Sequence, residues 1–151
     1  MQAPFPFLLQ TSIALAFISL PWPLQAQTDA SRQTTQAAVK YLAAASQLKA
    51  VQESECASVV ETPADLVMVL RELEAHLPPN DMAAIERTFT SRDFQTKHTL
   101  EPQRLLGTML KTFQSRGMTH DAACRKIFAL HEQVVHEQRE HWDQTRRAPA
   151  R

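Results

Sequence analysis

Residues 131–142, HEQVVHEQREHW, contain the side chains of this sequence that are best suited to acid–base or metal chemistry. Three of the six histidines of the chain and three glutamates lie in this segment. On a helix that advances about 100° per residue, His131 falls on the apolar stripe that also contains Cys124 and Trp142, whereas His136 lies about 140° away from His131. The segment therefore predicts one core-facing histidine and one outward-facing histidine.

The outward face carries Glu132, His136 and Glu140 at intervals of four residues. Side chains four residues apart lie one helical turn from each other, so a carboxylate and an imidazole can share a divalent transition metal or form an ordinary charged surface. The HExxH zinc motif is absent, because the second histidine comes five residues after His131. Glu132, His136 and Glu140 are the predicted ligands if the chain binds a metal, and otherwise no cofactor is expected.

The core-facing His131 permits two interpretations. A buried imidazole can donate a proton or sense pH close to neutrality. It can also be a structural core residue whose ring nitrogen is hydrogen-bonded to a backbone carbonyl or to a glutamine, such as Gln138 two turns later. The second arrangement is the expected one, and the first stays open.

Catalytic motifs are sparse in the rest of the sequence. There is no GxSxG motif, and the two glycines, Gly107 and Gly117, are too few for a loop that cradles phosphate. No nucleophile and base are placed together by their spacing. We therefore expect a binding protein rather than an enzyme.

The N-terminal segment has the pattern of a secretory signal. Residues 1–27 contain no Asp, Glu, Lys, Arg or His. Residues 7–20 form an apolar run shorter than the roughly 20 residues that span a bilayer, and Pro-Trp-Pro and the small Ala26 follow it. The pattern predicts a removed signal peptide over residues 1–26 and a periplasmic or secreted mature chain without stable membrane insertion. A retained apolar helix is the alternative, because no Lys or Arg precedes the run.

Cys56 and Cys124 are the two cysteines of the chain, and an exported protein most simply joins such a pair in a disulfide. On the chain-entropy model, closing this loop is worth roughly 4 kcal/mol. The bond would join the end of the first helix to the start of the last, which is easiest if the two helices are antiparallel. In an antiparallel pair, residue numbers rise along one helix as they fall along the other, so the numbers of two facing residues should add up to about 180, as 56 and 124 do. This places Trp142 near Ala38 or Tyr41.

Hydrophobic periodicity predicts an all-α fold, a small bundle of about five helices with one disulfide after the signal peptide. Apolar residues recur at helical spacing, and strand-like alternation is rare. Proline at a helix start and glycine after a helix end mark the boundaries. The predicted helices run from Ser31 to about Ser58, from Thr62-Pro63 to Leu77, from a cap at Asn80 to Phe89, from Glu101 to Gly117 and from Thr119 or His120 to residue 145, with residues 90–100 irregular.

Composition and organisation restrict the possible partners. Sixteen basic and sixteen acidic side chains balance, so no basic surface for nucleic acid is expected. Residues 27–145 are predicted to form the helical domain and residues 146–151 a basic, disordered tail.

A stable bundle without a catalytic motif can act by presenting a helical surface, so the expected partner is another protein. This would make the chain a periplasmic chaperone, an inhibitor or immunity protein, or a secretion accessory. The irregular stretch at residues 90–100, with Phe94 and His98 as the predicted binding residues, and the outer face of the last helix are the two candidate binding surfaces. An exposed apolar patch on either would support this function. The alternative function is a periplasmic metal carrier or sensor that uses the Glu132, His136 and Glu140 face.

Overall fold

The computed structural model describes residues 29–148 of the protein. In this part of the chain every regular element is helical, as predicted, and no strand is present. The predicted signal peptide over residues 1–26 and the end of the predicted tail at residues 149–151 lie outside the described residues. No helix between residues 29 and 148 is long and apolar enough to cross a membrane.

The described residues form six α-helices. The short α4 continues through a π-helical turn into α5 without a break, so five helical segments are separated by loops. The elements are α1 (Asp29–Gln52), a 3-10 turn (Ala57–Val59), α2 (Leu66–Glu74), α3 (Pro79–Phe89), α4 (Arg92–Gln95), the π turn (Thr96–Leu100), α5 (Glu101–Gln114) and α6 (His120–Arg147).

The two longest helices, α1 and α6, are antiparallel neighbours. The predicted disulfide between Cys56 and Cys124 is present, with the two Cα atoms 5.6 Å apart. Towards the other end of the pair, the rings of Tyr41 and Trp142 stack with centroids 5.9 Å apart. Both predicted pairings are confirmed, and together they fix the direction and register of α6 on α1.

Helix α1 is the central element of the bundle. Its middle and C-terminal residues are buried on all sides, with the long run from Tyr41 to Ser46 below 9% exposed. Only Gln47 and Lys49 interrupt the buried surface between Tyr41 and Gln52, and a helix buried over most of its circumference must be surrounded by other elements. Helices α2, α3, α5 and α6 and the π turn all contact α1. Because many of the buried α1 residues are alanines, these neighbours can approach its backbone closely.

The core divides into two clusters, which define two ends of the molecule. The aromatic end is built from the first half of α1, from α2 and α3, and from Trp142 near the end of α6. The disulfide end is built from the last turns of α1, from α5, and from the first turns of α6 around Cys124. Both ends share the α1–α6 pair.

Three predicted helix starts are corrected by the structure. Ser31, the predicted start of the first helix, lies inside α1. The second helix is capped by Asp65 and not by Thr62, because the Asp65 Oδ1 atom accepts hydrogen bonds from the amides of Val67 and Met68 at 2.9 and 3.3 Å. A carboxylate satisfies two of the amides that a helix start leaves unpaired. The third helix starts at Pro79, so Asn80 is not its cap.

The first helix ends at Gln52, earlier than the predicted Ser58. Residues 53–65 form a connection with one 3-10 turn, which brings Cys56 over the start of α6. The Gln52 side chain fixes this connection, because its Oε1 atom accepts a hydrogen bond from the Ala64 amide at 2.7 Å.

Residues 90–100 were predicted to be irregular, and this prediction is wrong. Ser91 caps α4, since its Oγ atom accepts a hydrogen bond from the Phe94 amide at 3.2 Å. The chain then forms the π turn and enters α5 directly. A π turn inserts an extra residue into the helical hydrogen-bond pattern, and it therefore hides the 3.6-residue periodicity on which the prediction relied.

The start of α6 agrees with the prediction, and its end lies further along the chain. Gly117 has a φ of +87°, the left-handed conformation expected of a residue that terminates α5. Thr119 caps α6 by accepting a hydrogen bond from the Ala122 amide at 3.2 Å. Helix α6 extends through Arg147, two residues beyond the predicted domain end at 145. Arg146 belongs to this helix, and its guanidinium carbon lies 5.2 Å from the ring centroid of Trp142.

Candidate functional site

An open groove of about 600 Å³ lies between α1, α2 and α6. We call it the Met68 groove. Its walls combine apolar, aromatic and charged side chains from these three helices. The residues that line it are Tyr41, Met68, Val69, Arg71, Glu72 and Arg139.

Helix α2 has apolar side chains both on its buried face and on its exposed face beside this groove. Leu73 and Leu77 are buried in the aromatic end, and Leu66 and Leu70 pack against it. Val67 and Met68 follow directly after Leu66 and therefore point about 100° and 200° away from the stripe. Their side chains are 56% and 63% exposed, and Met68 is the most exposed large apolar side chain of the described residues.

The floor of the groove is held by a charged network around Glu72. The Glu72 Oε1 atom accepts hydrogen bonds from Arg139 Nε at 3.0 Å and from Arg139 Nη2 at 2.7 Å. Its Oε2 atom accepts a hydrogen bond from the Tyr41 hydroxyl at 3.0 Å. One carboxylate thus joins α1, α2 and α6 through two-pronged and charge-assisted hydrogen bonds.

This network also shifts the pKa values of Tyr41 and Arg139. Burial and the hydrogen bond to Glu72 raise the pKa of Tyr41 to about 12, so the hydroxyl stays a neutral donor. The same carboxylate raises the pKa of Arg139 through its hydrogen bond. Both shifts stabilise the protonated forms of Tyr41 and Arg139, which act as hydrogen-bond donors that support the floor of the groove.

Arg71 gives the groove its net charge. Its side chain is exposed, and within residues 29–148 no carboxylate forms an ion pair with it. The charges of Arg139 and Glu72 compensate each other across their 2.7 Å contact. The groove therefore presents one uncompensated cation beside the exposed Met68 thioether.

Phe94 and His98, the predicted binding residues, are neighbours, but His98 alone reaches the surface. Phe94 is 4% exposed and packs against Phe89, with ring centroids 5.5 Å apart. The half-buried His98 ring lies 4.6 Å from Phe94, and its Nδ1 atom is 3.0 Å from the Gln47 side-chain nitrogen. Burial and the adjacent Lys97 lower the pKa of His98. A role in binding stays a prediction, with Phe94 available only as a side chain that supports His98.

The predicted metal ligands on α6 come together in part. His136 Nε2 lies 3.2 Å from Glu140 Oε1, and both side chains are well exposed. Glu132 does not complete a cluster with them, and it lines a shallow depression with Gln52 and Arg125 instead. Metal binding on this face stays a prediction that has two neighbouring ligands in the structure.

His131 is half-buried on the α6 stripe, as its position predicted. Desolvation lowers the pKa of its imidazole, which favours the neutral form. The expected partner Gln138 does not accept a hydrogen bond from it, because Gln138 Oε1 is buried without a hydrogen-bond partner among the described residues. Acidification would therefore place a charge in a position where burial opposes it.

The Met68 groove was not found from the sequence. The available signal was the pair Val67 and Met68, two apolar residues that do not fit the Leu66, Leu70, Leu73 and Leu77 stripe. No sequence pattern predicted that Tyr41 and Arg139 would line the groove, because these residues lie far from α2 along the chain and contact it only in the folded bundle.

Comparison with known proteins gave no match to a family model, to a curated protein or to a solved structure, so the function is inferred from the chain's own residues.

Proposed function

We propose that the protein is exported and acts in the periplasm or outside the cell by binding another protein, as a chaperone, an inhibitor or a secretion accessory does. The observation that carries the proposal is the Met68 groove, with an exposed Met68 and an Arg71 that has no ion-pair partner in the described chain. Interface cores are enriched in aromatic residues, methionine and arginine, and the groove is lined by all three types.

The chemistry of the groove favours an acidic segment that also carries a large apolar side chain. The apolar side chain would pack against Met68 and Val69, because a flexible thioether adapts to irregular surfaces. A carboxylate of the partner would pair with Arg71, whose planar guanidinium binds carboxylates through two hydrogen bonds. Salt should weaken such binding, since exposed charges are screened.

The groove is suited to binding because hydrogen bonds between three helices hold its floor in place. Glu72 holds Tyr41 and Arg139 in place from two different helices. A preformed surface loses less conformational freedom when it binds, and this loss is one of the main costs of association.

The test is photo-cross-linking from the groove. The oxidised mature chain carries a photoreactive phenylalanine analogue at position 68, and in a second protein at position 105, and is mixed with extract of the compartment to which it is exported. Leu105 is 59% exposed, close to the 63% of Met68, and it lies on α5, outside the groove. It is therefore a matched control for non-specific apolar contact.

We expect one protein to be cross-linked from position 68 and not from position 105. Competition with unlabelled wild-type chain should remove the product. Competition with the Met68→Glu or Arg71→Glu variant should not, whereas Leu105→Glu should compete like wild type. Equal products from both positions, or none from position 68, would count against the proposal.

Export is tested separately by intact mass. We expect protein recovered from outside the cytoplasm to start at Gln27, because cleavage after Ala26 removes the predicted signal peptide. A recovered chain that still contains residues 1–26 would contradict this part of the proposal and leave the groove proposal standing.

A further inference from the structure

Within the described residues, one group of three potential metal ligands comes together, and it surrounds the disulfide. The Sγ atoms of Cys56 and Cys124 and a ring nitrogen of His120 all lie within 4.8 Å of one another. Cys56 comes from the loop after α1, whereas His120 and Cys124 lie one turn apart at the start of α6. The group is distinct from the outer face of α6 that carries His136.

His120 is held over the disulfide by contacts on both of its ring nitrogens. Its Nε2 atom lies 3.2 Å from the Glu55 carbonyl oxygen and 3.6 Å from Cys124 Sγ. Its Nδ1 atom lies 3.5 Å from the Gln114 side-chain nitrogen. These contacts fit the neutral tautomer in which Nδ1 accepts from the Gln114 amide nitrogen and Nε2–H donates to the Glu55 carbonyl.

We propose that reduction of this disulfide by a dithiol converts Cys56, Cys124 and His120 into a binding site for Zn²⁺. In the first step the dithiol supplies two electrons and two protons, so that two protein thiols form and the dithiol becomes a disulfide. In the second step both thiols lose their protons and bind the metal, together with a neutral His120 ring nitrogen. Two cysteines and one histidine leave a fourth position for water, a ligand set that zinc accepts.

The position of His120 already matches one edge of a tetrahedral zinc site. Bond lengths of about 2.3 Å to sulfur and about 2.0–2.1 Å to nitrogen place these two ligands about 3.6 Å apart. The observed separation between Cys124 Sγ and His120 Nε2 is 3.6 Å. For Nε2 to bind the metal, its proton must move to Nδ1. The exposed Gln114 amide can then turn its oxygen to accept that hydrogen bond.

Reduction requires local opening, because both cysteines are fully buried. The covering segments are the connection at residues 53–65 and the first turn of α6, and helix ends and connections open at lower free energy than helix centres. His120 is half-buried at this edge of the molecule and reaches solvent without opening. The metal therefore has an entry path beside the sulfurs.

The experiment uses the mature chain, reduced with a phosphine that has no thiol and then titrated with Zn²⁺ or with the spectroscopic substitute Co²⁺. We expect one metal ion per reduced chain, thiolate-to-cobalt charge-transfer absorption, and X-ray absorption distances for two sulfurs at about 2.3 Å and one nitrogen at about 2.0–2.1 Å. The His120→Ala variant should bind zinc at least about tenfold more weakly than wild type. Loss of a residue that only hydrogen-bonds to a metal ligand already weakens binding about 10-fold to 100-fold, and His120 would be a ligand itself.

The matched control is His141→Ala, which removes an exposed α6 histidine that belongs neither to this group nor to the Glu132, His136 and Glu140 set, and it should leave the zinc affinity of the reduced chain unchanged. No metal binding by reduced wild type would overturn the proposal, and so would equal zinc affinity of the wild type and His120→Ala. If reduction lowers the helical circular dichroism signal, recovery on adding zinc in wild type but not in His120→Ala supports the proposal. A signal that does not recover overturns it. The inference does not depend on the Met68 groove.

Discussion

The aromatic end and the disulfide end are stabilised by different interactions, although both lie on the α1–α6 pair. At the aromatic end, the fully buried Trp142 is stacked on Tyr41 and lies beside His76 and Arg146. At the disulfide end, the covalent bond between Cys56 and Cys124 lies among mostly aliphatic side chains from α1, α5 and α6, together with Phe128. One end is held by packing and charge, and the other by a cross-link.

This difference has a consequence for where the molecule opens. A cross-link lowers the entropy of the unfolded chain and keeps Cys56 and Cys124 together in the folded and the unfolded oxidised chain. Packing around Trp142 acts only in the folded state and disappears as soon as α2 or α6 moves. The aromatic end, which carries the Met68 groove, should therefore open before the disulfide end.

The largest expected effect is that of Trp142→Ala. Removing this fully buried side chain should lower the free energy of unfolding by about 5 kcal/mol, the upper end of the range for an aromatic residue replaced by alanine. Denaturant unfolding measures the loss, and amide hydrogen exchange locates it. We expect α2 and α3 to lose protection while the start of α6 keeps it.

The Trp142→Phe variant is the control. It keeps a ring to stack on Tyr41 and removes an indole N–H that has no hydrogen-bond partner among the described residues, so its cost should be smaller. A uniform loss of protection along the whole chain in Trp142→Ala would show that the two ends open as one unit.

Removing the cross-link comes next. The Cys56→Ala, Cys124→Ala double variant should lose about 4 kcal/mol on the chain-entropy model for a bond that joins residues 68 positions apart. Hydrogen exchange should now accelerate at the disulfide end relative to the aromatic end, which reverses the order expected for the wild type. An unchanged order would mean that aliphatic packing, and not the bond, protects this end.

Tyr41→Phe should have a moderate effect. It removes the hydroxyl that donates to Glu72 at 3.0 Å but keeps the ring, and a hydrogen bond to a charged group contributes about 1.5–3 kcal/mol. We expect about 1.5 kcal/mol, because the partly exposed Glu72 can bind water instead. A double-mutant cycle with Glu72→Gln isolates this bond. Additive losses would show that the two groups are not coupled.

The pH dependence should be smaller and has a defined sign. Burial lowers the pKa of His131 in the folded state below its ordinary value of 6.5. The unfolded chain therefore binds more protons, and stability is retained above about pH 6.5 and lost as the pH falls through that value. Each unit of pKa difference corresponds to about 1.4 kcal/mol.

Urea unfolding measured from about pH 8 to about pH 5 gives the size of this loss. The pKa of His98 is lowered as well, so His98 contributes to the same pH dependence. His131→Gln and His98→Gln should each remove part of the dependence. An unchanged pH profile in both variants would contradict the assignment.

The smallest effect is expected for His136→Ala. The His136 side chain is 71% exposed. Substitution of such a surface residue usually changes the free energy of unfolding by less than about 0.5 kcal/mol in either direction. The sequence-based metal hypothesis predicts that the oxidised protein binds zinc, copper or nickel and that this variant does not. Calorimetric titration decides, and absence of binding to the oxidised wild type at micromolar metal would end that hypothesis.

The sequence predicted much of the fold because the relevant signals are local or covalent. The apolar stripe of α2, the left-handed Gly117 and the Thr119 cap act within a few residues of themselves. The disulfide was predictable because the chain offers one pairing of two cysteines. The direction and register of α6 on α1 followed from that bond.

The predictions were wrong where several capping residues compete or where the helical period changes. Asp65 and Thr62 are both good caps, and Asp65 is used because its carboxylate reaches two amides. The π turn shifts the periodicity of residues 96–100, so the pattern looked irregular although the backbone is helical. The neighbourhood of Phe94 was for this reason expected to be an exposed loop, whereas Phe94 is in the core.

What the sequence determined by itself is the helical class, the sulfur pairing and the antiparallel order of α1 and α6, since these depend on residue spacing and on the number of cysteines. What only the tertiary structure decided is which distant side chains meet. Glu72 joins Tyr41 to Arg139, and His120 meets Cys56, across separations that no local pattern encodes. Periodicity reports which face of a helix is buried, but the neighbour of that face is chosen by packing of the whole bundle.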